Sequence, residues 1–140
     1  MTAMADARSV MSRAAGHPTV RQFLRFAMVG VVGTFVHYGV MQALIQFAHW
    51  GVLAATSAGF LAGASVSYVL NRKVTFSTTQ PVGVAFVKYI AALAVGLVIN
   101  GAIVAGLTSL GLHYWIAQPI ATGVVLFWNF GASRLLVFRN

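Results

Sequence analysis

Acidic residues are almost absent from this chain. Asp6 is the single Asp or Glu, against nine Lys and Arg, which leaves a formal charge of +8. Acid–base chemistry on sugars or phosphates needs placed carboxylates, often with a metal, so one carboxylate near the N-terminus argues against an enzyme. Cysteine is missing altogether, which excludes disulfides and thiolate chemistry. His49 and His113 have no cysteine or carboxylate companions for a metal site, and no glycine-rich phosphate loop is present. Neither a metal nor a cofactor is expected. A small four-helix drug-efflux protein would need a membrane-embedded glutamate, and none exists. Charged residues of every kind amount to 7%, where a soluble domain carries ~25%.

What remains is apolar. The 140 residues are 59% hydrophobic, and the mean hydropathy is +0.85. So few charges cannot cover a surface that faces water, so lipid must face it instead. The length suits one domain. A strong positive excess points to nucleic acid or to anionic lipid. The hydropathy selects membrane lipids and their phosphates, with no role for nucleic acid.

The positions of the charges draw the topology. No charged residue occurs from Phe26 through Asn71, nor from Tyr89 through Ser133. A spanning helix needs about 20 apolar residues, so each gap holds two helices and a tight turn. Ala48-His49-Trp50-Gly51 interrupts the first gap and Gly111-Leu112-His113-Tyr114-Trp115 the second. These aromatic residues suit the membrane–water boundary. Helices are expected near 24–47, 53–72, 86–110 and 115–136, because the backbone inside lipid must satisfy its own hydrogen bonds. Every Lys and Arg lies before helix one, around the middle loop or at the end of helix four. By the positive-inside rule both termini and the middle loop are cytoplasmic, which places the chain in the inner, cytoplasmic membrane.

Residues 1–20 read as a mobile cytoplasmic tail, without the apolar core and cleavage site of a signal peptide. Its Arg8 and Arg13 serve either as solvated topology markers or as attractors of lipid headgroups. Within helix one, His37 lies two to three turns inside the bilayer. An ionisable residue there is either functional or a neutral histidine bonded to a neighbouring helix. Helix two carries Ala55, Gly59, Gly63, Ser67 and Asn71 at four-residue spacing. Such a stripe lets another backbone approach closely, within the chain or between protomers, or else it lines a substrate groove. Helix three repeats the pattern with Ala92, Gly96 and Asn100, and helix four has Pro119 near its start and Trp128-Asn129 further on. The proline is expected to fall in the first turn, where it is tolerated.

The chain also echoes itself. One offset aligns Arg25-Phe26 with Lys88-Tyr89, Gly33 with Gly96 and His37 with Asn100. An offset one residue shorter aligns Arg72 with Arg134 and Phe76 with Phe138. The expected architecture is an all-α membrane protein of four transmembrane helices, built as two parallel helical-hairpin repeats over 21–76 and 86–140.

Four segments in this order carry a family resemblance: Phe23-Leu24-Arg25-Phe26-Ala27-Met28-Val29-Gly30, Leu70-Asn71-Arg72-Lys73-Val74-Thr75-Phe76, Phe86-Val87-Lys88-Tyr89, and Trp128-Asn129 through Arg134 to Phe138. Over residues 21–140 the chain resembles the GtrA-like family of small four-helix membrane proteins. Ser133 stands where that family usually has asparagine, and His37 where many relatives carry an acid. The resemblance implies a role in cell-surface polysaccharide synthesis or O-antigen glycosylation. The substrate it implies is a polyprenyl-phosphate-linked sugar, such as undecaprenyl-phosphate glucose, flipped from the cytoplasmic to the outer leaflet.

For such a ligand the arginine fork suits the phosphate. Arg72 and Arg134 are the first candidates, with Arg25 and Lys88 second; the competing role for all four is snorkelling to the interface as topology anchors. Asn71, Asn129, Asn100, His37 and Tyr68 offer hydrogen bonds to a sugar or along a polar path, or serve as interhelical glue. Gly59, Gly63, Ser67, Gly33 and Gly96 are candidates for helix packing. Four short helices make a thin wall for a path across the bilayer, so a homo-oligomer is expected. The alternative function is a non-transporting anchor that recruits or stabilises a glycosyltransferase using the lipid-linked sugar, with the small-residue stripe as its docking face.

Overall fold

The first long helix starts where a histidine can cap it. His17 holds an extended conformation and its Nδ1 accepts the Thr19 N–H at 3.2 Å, while Pro18 occupies the first helical turn. Proline is pre-shaped for that position and its missing N–H has no partner to lose there. This places the start of the helix upstream of the 24 expected from the charge map. The computed structural model describes residues 2–140. Its elements are α1 (Thr2–Gly16), α2 (Pro18–Phe47), α3 (Val52–Leu70), a π-helical turn π1 (Asn71–Thr75), α4 (Val82–Ser109), α5 (Tyr114–Ala132) and a second π-helical turn π2 (Ser133–Val137). No strand occurs among the described residues.

Among the described residues, four helices are long and apolar enough to cross a membrane: Pro18–Phe47, Val52–Thr75, Val82–Ser109 and Tyr114–Val137. Residues 2–16, read from composition as a tail, are helical. The first residue of that tail and the side chains of residues 14 and 15 lie outside what the structure describes. Pro119 sits inside α5, beyond the first turn that was expected to hold it. There it removes one backbone donor from the helix interior.

The chain divides into two units, one ending at Thr75 and the other beginning at Phe76. In the first, α2 turns back into α3 through His49, which takes a left-handed φ of 56°, and the Trp50 N–H returns to the Leu44 carbonyl at 3.0 Å. In the second, α4 ends in a Schellman closure. The Leu112 N–H reaches the Leu107 carbonyl at 3.1 Å and the Gly111 N–H reaches Thr108 at 3.0 Å. Gly111 stands at φ 95°, a conformation that costs any residue with a Cβ. His113 then caps α5, its Nδ1 accepting from the Trp115 N–H at 3.3 Å.

Inside the first unit α2 and α3 approach backbone to backbone. A Cβ on Gly63 would strike the Gly33 carbonyl and lie 3.0 Å from the His37 Cβ. One on Gly59 would lie 2.5 Å from the His37 carbonyl oxygen, and one on Gly33 would strike the Ser67 hydroxyl. The stripe along α3 is therefore occupied by α2 of the same unit and is not an open groove. In the second unit the space above Gly96 is taken by Asn129, Val125 and Trp128, and the Trp128 indole donates to the Ala92 carbonyl at 2.9 Å.

Hydroxyls along the helices close onto their own backbone. Thr34 donates to the Gly30 carbonyl at 2.9 Å, Ser57 to Leu53 at 2.8 Å, Ser65 to Leu61 at 2.7 Å and Thr108 to Val104 at 2.8 Å. A hydroxyl satisfied in this way presents no bare donor to hydrocarbon.

A methyl group at Gly63 must push two backbones apart. Gly63→Ala should lower stability in detergent by about 1–3 kcal/mol. Gly101→Ala, where nothing lies within 4 Å of the added carbon, should leave the unfolding midpoint in place or raise it. Equal midpoints for the two variants would show that the seam does not hold the hairpin.

Candidate functional site

The basic end of the first unit is built on π1. Where α3 would continue, the Asn71 N–H splits between the Ser67 and Tyr68 carbonyls, and the chain goes over to the wider π turn. Such turns interrupt the regular ladder and are frequent at functional sites. Asn71 is 1% exposed. Its Oδ1 accepts from the Thr75 hydroxyl at 2.8 Å, and the Thr75 carbonyl accepts from Gln22 Nε2 of α2 at 3.2 Å. The asparagine thus braces π1 from inside, and Gln22 ties the same turn to the neighbouring helix.

Arg72 follows directly and is half-buried. Its Nη1 donates to the phenol oxygen of the buried Tyr68 at 3.4 Å. The guanidinium is therefore directed by a fixed partner one turn below it. Arg25, by contrast, is exposed beside the buried Phe26. The aromatic ring turns inward and the cation outward, the geometry of an interfacial anchor.

The second unit repeats this construction with other side chains. The Ser133 N–H splits between the Asn129 and Phe130 carbonyls, π2 follows, and the Phe138 N–H closes on the Ser133 carbonyl at 2.9 Å. Lys88 is exposed beside the buried Tyr89, as Arg25 is beside Phe26. At the aligned positions Tyr68 is replaced by Phe130, Asn71 by Ser133 and Thr75 by Val137. Ser133 is 1% exposed and its hydroxyl has no partner. Arg134 is exposed, and with Phe130 below it lacks the phenol that Arg72 has. An apolar cluster of Phe76, Tyr89, Phe130 and Phe138 fills the space, with Phe76 stacked on Phe138 at 5.1 Å and Tyr89 6.2 Å from Phe138. Asn140 fastens the adjoining loop, donating to the Ser77 carbonyl at 3.1 Å and accepting from the Thr79 N–H at 2.8 Å.

The other polar candidates lie deeper. His37 packs against the Gly59–Gly63 seam, stacked on Tyr38 and edge-on to Phe60, and its Nε2 is buried with no partner. Asn129 also has an unpartnered buried oxygen, over Gly96. Asn100 accepts from Gln118 at 3.2 Å, near the opposite end of the second hairpin from Arg134. The structure thus gathers Tyr68, Asn71 and Arg72 into one network, and Gly33, Gly59, Gly63, Ser67 and His37 into one seam. It leaves Arg25, Lys88 and Arg134 on the surface of their own units. Thr75 and Gln22 were not among the sequence candidates. Thr75 was legible as a hydroxyl four residues after Asn71, whereas nothing in the sequence ties Gln22 to residue 75.

Residues 25–138 match the family model described as GtrA/DPMS, transmembrane domain. The match takes in both hairpins and both π turns. Comparison with curated proteins gives no match.

The two basic ends should respond oppositely to polar deletion. Asn71→Ala removes the partner of a buried hydroxyl and should cost about 1–3 kcal/mol. Ser133→Ala removes a buried hydroxyl that bonds nothing and should be neutral or stabilising by up to about 1 kcal/mol. Unfolding of both variants in one detergent measures the contrast, and equal losses would remove the distinction between the two ends.

Proposed function

The chain belongs to the GtrA/DPMS transmembrane-domain family, and from that premise we propose that it carries a polyprenyl-phosphate-linked sugar between the leaflets of the cytoplasmic membrane. The family and the four apolar helices make it a multi-pass membrane protein of glycosylation pathways. A domain of this family is typically not catalytic by itself. The substrate, the direction of movement and the residues that grip the ligand are our reading.

The observation that carries it is the directed guanidinium of Arg72. A lipid-linked sugar presents one phosphate at headgroup depth, and a half-buried arginine with a fixed donor direction is suited to meet it. Asn71 and Thr75 keep π1 in shape beneath that charge, and Tyr68 aims it. Arg25, Lys88 and Arg134 each hold their own helix at the interface. In this reading Asn71 acts on the ligand through Arg72.

The charge map supports cytoplasmic termini, with both π turns at the cytoplasmic face. The recurrence of a hairpin ending in a π turn and arginine supports two parallel repeats. Flipping one negative charge out of an inside-negative cell is favoured by about 2.3 kcal/mol per 100 mV, so the movement needs neither a nucleotide nor a coupled ion. A homo-oligomer supplies the wall that four helices alone make thin. The non-transporting anchor is the weaker reading. Its docking face was to be the α3 stripe, and α2 already fills that stripe.

The test is leaflet exchange of a labelled polyprenyl-phosphate sugar in liposomes containing the purified protein. Acceleration over empty liposomes is expected, and its absence sinks the proposal. Arg72→Ala should slow exchange about tenfold or more, the loss of one charge-assisted hydrogen-bonding partner. Tyr68→Phe should slow it by a few-fold, and Arg134→Ala should do less than Arg72→Ala. Full-speed exchange by Arg72→Ala would remove the phosphate site from π1 while leaving transport intact. Co-purification of a glycosyltransferase without exchange would favour the anchor.

A further inference from the structure

The first helix, α1, lies outside the matched residues 25–138. At 100° per residue, Ala3, Met4, Ala7, Val10 and Met11 fall on one face of α1, and Ser9 and Arg13 on the other, with Asp6 and Arg8 at the two borders. The apolar face is bare: Met4 and Met11 are each 71% exposed and Val10 is 63% exposed. On the polar side the serines are satisfied locally. Ser9 donates to the Asp6 carbonyl at 2.8 Å and Ser12 to the Ser9 carbonyl at 2.9 Å.

Two further observations say what covers that face. Arg8, Arg13, Arg21 and Arg25 stand against Asp6 alone in this part of the chain. Only His17 separates α1 from α2, a helix apolar and long enough to span. The apolar stripe is thus tethered at the membrane boundary next to a run of arginines.

We propose that α1 lies in the headgroup layer of an anionic bilayer, with Met4, Val10 and Met11 turned into the acyl boundary and Arg8 and Arg13 among the lipid phosphates. An amphipathic helix of this kind binds through its buried apolar area together with attraction to anionic lipid. Each arginine near an anionic surface adds to that attraction. His17 and Pro18 make the corner between the surface helix and the span, since the proline starts α2 afresh and cannot continue the hydrogen-bond ladder of α1. This holds whatever the Arg72 network binds.

The chain has no cysteine, so single-cysteine variants of the full-length protein report unambiguously. Met11→Cys and Met4→Cys probe the apolar face, and Ser9→Cys the polar one. Each is labelled with an environment-sensitive thiol dye and reconstituted into phosphatidylcholine vesicles holding roughly 30 mol% phosphatidylglycerol. Quenching by brominated acyl chains should be about threefold or more stronger at positions 4 and 11 than at position 9, and quenching by aqueous iodide should run the other way. Arg8→Glu combined with Arg13→Glu should shrink that contrast. Equal quenching at the three positions would overturn the proposal. Shielding of positions 4 and 11 from both quenchers would overturn it as well, because protein rather than lipid would then cover the face. A contrast unchanged in vesicles of phosphatidylcholine alone would overturn the assignment to anionic lipid.

Discussion

Hydrocarbon offers a protein no hydrogen bonds, and each feature of these hairpins follows from that lack. Backbone groups must pair within their own helix, so the long uncharged stretches form helices and not loops. Hydroxyls fold back onto carbonyls one turn away, as at Thr34, Ser57, Ser65 and Thr108. Lipid tails are as apolar as leucine, so burial of apolar side chains does little to hold helix to helix, and close van der Waals contact takes its place. That contact is closest where Gly59 and Gly63 meet Gly33 and the backbone of His37. Bare glycine faces thus do in lipid what a leucine core does in water.

The same constraint separates the two basic ends. A polar group drawn in beneath the interface costs free energy unless it finds a partner. In the first unit Asn71 finds Thr75, and Arg72 is met by Tyr68. In the second unit the aligned positions hold Ser133, Val137 and Phe130. The network has been exchanged for an aromatic cluster around Phe138, and a single unpartnered hydroxyl remains. One backbone design thus serves two purposes: a directed cation in one half, and a packed and chemically quieter end in the other.

The spans were legible because charge is excluded from lipid: the uncharged gaps from Phe26 to Asn71 and from Tyr89 to Ser133 each take in one pair of helices and the turn between them. The helix starts were less legible. His17 caps through a ring nitrogen, outside the usual Ser, Thr, Asp and Asn set, and residues 2–16 carry too weak a pattern to stand out from a tail. The π turns left no common mark in composition or period, since π1 is mostly polar (Asn71, Arg72, Lys73 and Thr75) while π2 ends in Leu135, Leu136 and Val137. At the candidate site, Asn71 and Arg72 could be read directly, and Thr75 from its four-residue spacing. Gln22 could not, because its tie to residue 75 depends on the crossing of two helices, which no local pattern encodes.

The π turns carry a consequence for how such a chain changes over generations. Each holds a residue more than α geometry would place over the same rise, as the bond from Phe138 to Ser133 records. A one-residue gain or loss at that point can be taken up by a change of helical form, with the seam above left in register. The same event beside Gly59 or Gly63 would rotate the packed face by about 100° and bring side chains where only glycine fits. A one-residue change of length is therefore absorbed most easily at the two π turns and least easily in the glycine seam.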